Sequence, residues 1–150
     1  MTDTTDDLRA AWSAVADEAI ALRDALRDLP VATESEPAHV RAEVERRLPL
    51  DAPMPLATVV REAAALLREH AVHVIHPRYF GLFNPSVRDA SPLGDALAAL
   101  YNPQLAVWSH APAAAELERH ALRHLGAALG RAWEAATFTT GGAEANLTAV

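Results

Sequence analysis

Two absences narrow the chemistry of this chain before any pattern is sought in it. There is no cysteine, which excludes disulfides and thiolate metal sites. There is no lysine either, because all 13 residues counted as Lys+Arg are arginine. A biased base composition in the gene accounts for that, since alanine and arginine are both abundant, but the consequence stands: no step that needs a side-chain amine nucleophile can be completed by these residues alone. Nor is there an apolar run of about 18 residues, the length a membrane-spanning helix requires. The start, MTDTTDD, is acidic where an export signal would be basic. The arginines are scattered and the net charge is -7, so neither a nucleic acid nor an anionic membrane is an expected partner. A cytoplasmic protein fits these features best.

What is present is enough to build a core. The chain has 150 residues, 51% of them hydrophobic, which suits one domain and not a disordered tail. From Asp6 to Leu29 the apolar positions Leu8, Trp12, Val15, Ala19, Leu22, Leu26 and Leu29 advance by alternating steps of four and three. This spacing predicts a helix with one narrow apolar seam, capped by Thr5 or Asp6 and ended by Pro30. A narrow seam needs a partner helix, in the same chain or in a second subunit. Prolines at 30, 37, 49, 53 and 55 mark a connecting region. Within it a short polar helix runs from about Pro37 to Leu48, its charges Arg41, Glu43, Glu45, Arg46 and Arg47 forming a solvated face. Leu56 to His70 then predicts a helix with Val59, Val60, Ala63, Leu66 and Leu67 inward.

The stretch from His73 to Ser91 is too broken by proline and glycine to form one long element. It carries Tyr79, Phe80 and Phe83, three of the eight aromatic residues of the chain. Aromatics on a loop plug a core or line a pocket, and composition alone favours the plug. Ser91 and Pro92 open a further helix with Leu93, Leu97 and Leu100, stopped by Asn102 and Pro103. Pro112 opens another with Leu117, Leu122, Leu125 and Leu129, and Gly130 is its C-cap residue.

Ala135 to Thr140 has the β-branched and aromatic content of a strand, Gly141 and Gly142 make a turn, and Ala143 to Val150 starts a helix. Free N–H groups at a helix start form an anion site that glycines leave open to phosphate, although the same pattern serves as a plain tight turn. The chain is thus a helical first part followed by one strand and one helix start. A lone strand is no sheet, so the expectation is the front of a larger α/β fold.

Two histidine-containing sets have the spacing of candidate metal ligands. His70, His73 and His76 advance by three but are broken by Pro77, and Glu116, His120 and His124 advance by four on one helical face. The second set has no supporting partners in the sequence and reads as a polar surface, so no metal is assigned. Ser86, Ser91 and Ser109 lack the strand-to-helix elbow of a hydrolase nucleophile and serve as caps and turns.

HPRYFGLF at 76–83, APAAAELE at 111–118 and FTTGGAEANL at 138–147, in that order and spacing, resemble the group II pyridoxal-phosphate-dependent decarboxylases, which include the aromatic amino acid, histidine, tyrosine and glutamate decarboxylases. The resemblance is clear from about Leu56 onward. It implies an α/β, fold-type-I, aspartate-aminotransferase-like enzyme, an obligate homodimer that binds pyridoxal 5'-phosphate and an amino acid substrate at the subunit interface. Residues 1–55 would be a helical dimer-packing segment with its linker, and residues 56–150 the beginning of the decarboxylase domain.

By the same resemblance Gly142 and Ala143 match the residues whose backbone N–H groups hold the cofactor phosphate, with Thr140 and Gly141 in the turn before them. Ala143 stands where the pattern often has serine or threonine, which removes one side-chain hydrogen bond. Phe83, Asn84 and Pro85 match the loop that reaches toward substrate, with Tyr79 and Phe80 just ahead of it, and this favours a pocket wall over a core plug. Ala111 and Ala115 replace hydroxyl residues common in the aromatic amino acid branch, so the substrate stays open. The Schiff-base lysine, the aspartate on the pyridinium nitrogen and the histidine stacked on the ring are not among these residues, so no catalytic residue is assigned. The alternatives are a carbon–carbon lyase or aminotransferase of the same fold, and a non-catalytic helical association fragment. Replacing Leu22→Asp together with Leu26→Asp should break the pairing of the N-terminal helix, and an unchanged oligomer size would refute the seam.

Overall fold

The structure, a computed structural model, describes residues 4–82, 87–133 and 135–149. They form six α-helices and one 3-10 turn, with no strand among the described residues. The chain divides into two units, Met1–Val87 and Arg88–Val150, each described by itself.

The first unit is built on α1 (Thr5–Ala25) and α3 (Leu56–His70), with α2 (Pro37–Arg47) beside α3. Helix α1 is capped one residue earlier than the sequence predicts. The Thr4 hydroxyl accepts the Asp7 N–H at 3.1 Å and the Asp7 carboxylate accepts the Thr4 N–H at 3.1 Å, a reciprocal box that satisfies two otherwise unpaired donors. The hydrogen bonds from Thr4 hold the Asp7 carboxyl below its ordinary pKa. Regular helix stops at Ala25, and the Asp28 and Leu29 N–H groups both turn back to the Ala25 carbonyl well ahead of Pro30.

The seam of α1 is displaced from the predicted one. Ala11 and Ala14 are its buried residues, while Leu8, Trp12 and Val15 remain 43–49% exposed. Small side chains let the two helix axes approach closely, so the packed face centres on the alanines and continues through half-buried Glu18, Leu22 and Leu26. Across this face Arg68 of α3 donates to the Glu18 carboxylate, a tie that a search for apolar periodicity does not find. On α3 the buried residues are Ala57 and Leu66, whereas Leu67 is 69% exposed and is not the inward residue expected of it.

Helix α2 starts at Pro37 as its first residue, where the missing N–H costs nothing. Its charged face is not wholly solvated. Arg47 donates to Glu69 of α3 at 2.6 Å and to Glu43 at 2.9 Å with its side chain mostly covered. Hydrogen bonds from Arg46 and then Arg47 hold the Glu43 carboxyl down at about 2, so it is a carboxylate at every ordinary pH.

The second unit holds α4 (Ser91–Tyr101), a 3-10 turn (Trp108–His110), α5 (Pro112–Ala128) and α6 (Gly142–Thr148). Ser91 lies inside α4 and Ala90 precedes it as the cap, without a side-chain hydrogen bond. Asn102 ends the helix in the left-handed region at φ 38°, its N–H bonded to the Ala98 carbonyl, a conformation asparagine tolerates better than most residues. Leu122 and Gly126 are the buried residues of α5. Gly130 follows it at φ 68°, as its sequence position predicts.

The alanine-centred contact gives a discriminating pair of variants. Ala14→Leu should overpack the α1–α3 face and cost about 1–3 kcal/mol in urea unfolding. Ile20→Ala, at a position 59% exposed, should change stability by less than about 0.5 kcal/mol. Equal effects from the two would mean that α1 does not pack through its alanines.

Candidate functional site

The predicted phosphate-binding residues lie at the start of α6. Gly141 is its N-cap residue in extended conformation, and the first intrahelical bond runs from the Ala145 N–H to the Gly141 carbonyl at 3.0 Å. The N–H groups of Gly142, Ala143 and Glu144 therefore have no acceptor in the helix, and no side chain caps them. A Cβ built on Gly141 or Gly142 would meet nothing within 4 Å, so packing does not demand either glycine and the backbone can be approached freely. The donor set and the open face fit a phosphate held by main-chain N–H groups.

Thr140 is differently employed. Its N–H and its hydroxyl both donate to one Glu144 carboxylate oxygen at 2.6 Å, and these hydrogen bonds hold the Glu144 carboxyl below its ordinary pKa. Both Thr140 donors are thus taken by a side chain one turn into α6. Glu144 was missed in the sequence. Its place three residues after the N-cap, where a glutamate reaches back over the helix start, was the available signal.

The segment 135–139 before this turn is not a strand. A strand needs a neighbour to take its N–H and C=O groups. Here the Phe138 N–H donates to Glu118 of α5 at 2.9 Å instead, and the Thr137 hydroxyl donates to the same oxygen at 3.1 Å. Glu118 is a second residue that the sequence did not single out. It also borders a cleft of about 450 Å³ beside α5, lined by Arg119, Leu122, Arg123, Trp133, Ala135 and Ala136 among others.

Of the predicted substrate-facing residues, Tyr79 and Phe80 belong to the first unit. Phe83, Asn84 and Pro85 lie outside the described residues. Tyr79 folds back on its own loop: its hydroxyl accepts the Leu82 N–H at 2.9 Å, and a Cβ on Gly81 would fall 2.4 Å from its ring. Only glycine at 81 leaves room for that ring. Phe80 projects from the loop and is 92% exposed.

The three histidines ahead of this loop occupy structural positions. His70 Nδ1 lies 3.0 Å from the Ser35 hydroxyl, His73 Nδ1 lies 2.8 Å from the Pro30 carbonyl, and His76 Nε2 lies 3.4 Å from the Arg27 carbonyl. On α5 Glu116 accepts from the Trp108 indole at 3.0 Å and from Arg119 at 2.8 Å. Among the described residues no three acidic or histidine side chains are grouped as metal ligands. No helix among them is long and apolar enough to cross a membrane.

Comparison with known proteins adds one relative. Over 109 residues, 69% of this chain, it is 36% identical to a tyrosine decarboxylase of Oryza sativa subsp. japonica. The matched stretch is 20% of that protein, so the chain spans about a fifth of the relative's length. No family model matches the chain, and no solved structure matches it.

The tie between Thr140 and Glu144 has a defined pH dependence. Because the folded state lowers the Glu144 pKa from 4.5, the stabilisation it contributes is complete above 4.5 and is lost as pH falls through the lower folded value. The Thr140 amide resonance should therefore titrate with a midpoint below 4.5. A midpoint at or above 4.5 would show that the carboxylate is not bonded there.

Proposed function

We propose that this chain is the N-terminal part of a pyridoxal-phosphate-dependent amino acid decarboxylase of fold type I. The observation that carries the reading is the 36% identity to a tyrosine decarboxylase over 109 residues. The helix start at Gly141–Ala143 supports it independently, because its uncapped N–H groups and open glycine face suit a phosphate.

In this reading Gly142 and Ala143 hold the cofactor phosphate through their main-chain N–H groups. Ala143 adds no hydroxyl to that grip. Thr140 serves the site indirectly: bonded to Glu144, it fixes the entry of the chain into α6 and so the direction in which the N–H groups point. When bound, pyridoxal phosphate supplies an electron sink for the carbanion left as the α-carboxylate departs. Phe80, already exposed, is free to contact substrate or another protein surface, while Tyr79 stiffens the loop from within. The Schiff-base lysine has to come from other residues of a longer polypeptide, since this sequence has none. The partly exposed Leu8, Trp12 and Val15 lie on the part of α1 that α3 leaves uncovered, and a second copy of the chain in a homodimer is the occupant proposed for them. The same exposed residues favour, as a second reading, a helical association fragment without catalysis.

Intact mass of the product in its native source separates the two. The decarboxylase reading expects a polypeptide several times longer that contains lysine, and it expects residues 1–150 alone to release no carbon dioxide from any amino acid. A native product that ends at Val150 would leave the association reading, and carbon dioxide release by residues 1–150 would refute the need for a lysine from elsewhere.

A further inference from the structure

The spacing of three between His73 and His76 is the spacing of turn corners. The His76 N–H bonds to the His73 carbonyl at 2.8 Å, and the Tyr79 N–H bonds to the His76 carbonyl at 2.9 Å. Two successive turns thus share His76, and Pro77 sits at the second position of the latter, where its fixed φ is favourable. Both rings are buried, His76 at 3% exposure and His73 at 7%. Each faces a carbonyl of the segment that follows α1, more than 40 residues earlier in the sequence.

The ring atoms of His76 have unlike partners. The Arg78 N–H donates to Nδ1 at 2.9 Å, so Nδ1 carries no proton. The ring proton is therefore on Nε2, the atom that faces the Arg27 carbonyl. His73 is the opposite case, because its Nδ1 faces the Pro30 carbonyl and must carry the proton, leaving a buried Nε2 without a partner. A backbone N–H two residues on, bonded to a side-chain acceptor, is the geometry that asparagine and aspartate make in turns, here made by an imidazole.

We infer that His76 is a positioning residue that sets the pose of the loop bearing Tyr79 and Phe80, pinning it through the Nε2–H tautomer to the turn after α1. One end of the ring closes the turn that starts the loop, and the other fastens it to the Arg27 carbonyl. The loop thereby takes its position from α1 and not only from α3, the helix it follows. The bearing of this on substrate rests on the decarboxylase reading; the pin itself is a property of the first unit and stands or falls without it.

Nitrogen-15 spectra of the full chain above the histidine titration range, at about pH 8, test the tautomers directly. His76 should be protonated on Nε2 and His73 on Nδ1, and a shared tautomer would overturn the inference. Amide exchange in variants tests the positioning. His76→Asn keeps an acceptor at the place of Nδ1 and should leave Arg78 exchange close to that of the unsubstituted chain. His76→Gln keeps only the reach toward Arg27 and should speed Arg78 exchange about tenfold, as should His76→Ala. The Leu82 amide, which Tyr79 holds, should also speed up in His76→Ala. Unchanged Leu82 exchange there, or equal Arg78 exchange in the asparagine and glutamine variants, would show that the loop keeps its pose without the ring. Should His76→Ala not fold, the tautomers and the asparagine–glutamine comparison still decide.

Discussion

The close approach of α1 to α3 through Ala11 and Ala14 is the contact on which the first unit depends. Larger residues at those positions would push the axes apart, and the consequences would reach beyond the helices. With α1 where it is, the Glu18 carboxylate meets Arg68, and the turn after Ala25 presents the Arg27, Pro30 and Val31 carbonyls to the segment leaving α3. A shift of an ångström or two would break each of these hydrogen bonds, whose length and direction tolerate little error. Dispersion and apolar burial set the distance, and the polar ties then select one register.

Outside that contact the unit is held mainly by side chains bonding to loops. Ser35 meets His70, His39 lies edge-on to the same ring at 5.7 Å, and Arg47 joins α2 to α3 through Glu69. Pairs of this kind are individually weak where water reaches them, and Glu69 remains half-exposed. Their value is positional: they fix α2 and the proline-rich segments on either side of it against α3.

The second unit has a different character. Leu93, Leu97, Leu100, Leu117 and Leu129 are all more than half exposed, which is more apolar surface than short helices can cover among themselves. In place of a sheet, one carboxylate on α5 takes the N–H and hydroxyl offered by residues 137–138. A second, Glu144, takes those of Thr140. Two glutamates thus order the approach to the glycine turn, and the main-chain donors of Gly142, Ala143 and Glu144 are left without an acceptor in the helix.

By itself the sequence determined where helices form. Proline at the first positions of α2 and α5, glycine after α5, asparagine after α4 and the 3.6-residue apolar period are local causes, and they place Leu56–His70 and Pro112–Ala128 within a residue of their observed limits. It also determined, through the absence of lysine, what these residues cannot do chemically. Which face of α1 is inward, why histidine recurs every third residue, that Tyr79 braces its own loop, and that Ala135–Thr139 bonds to a helix and not to another strand were decided only in three dimensions. The Tyr79 brace depends on a local turn in the loop, and the others on partners many residues away brought near by packing; periodicity along the chain contains no record of either.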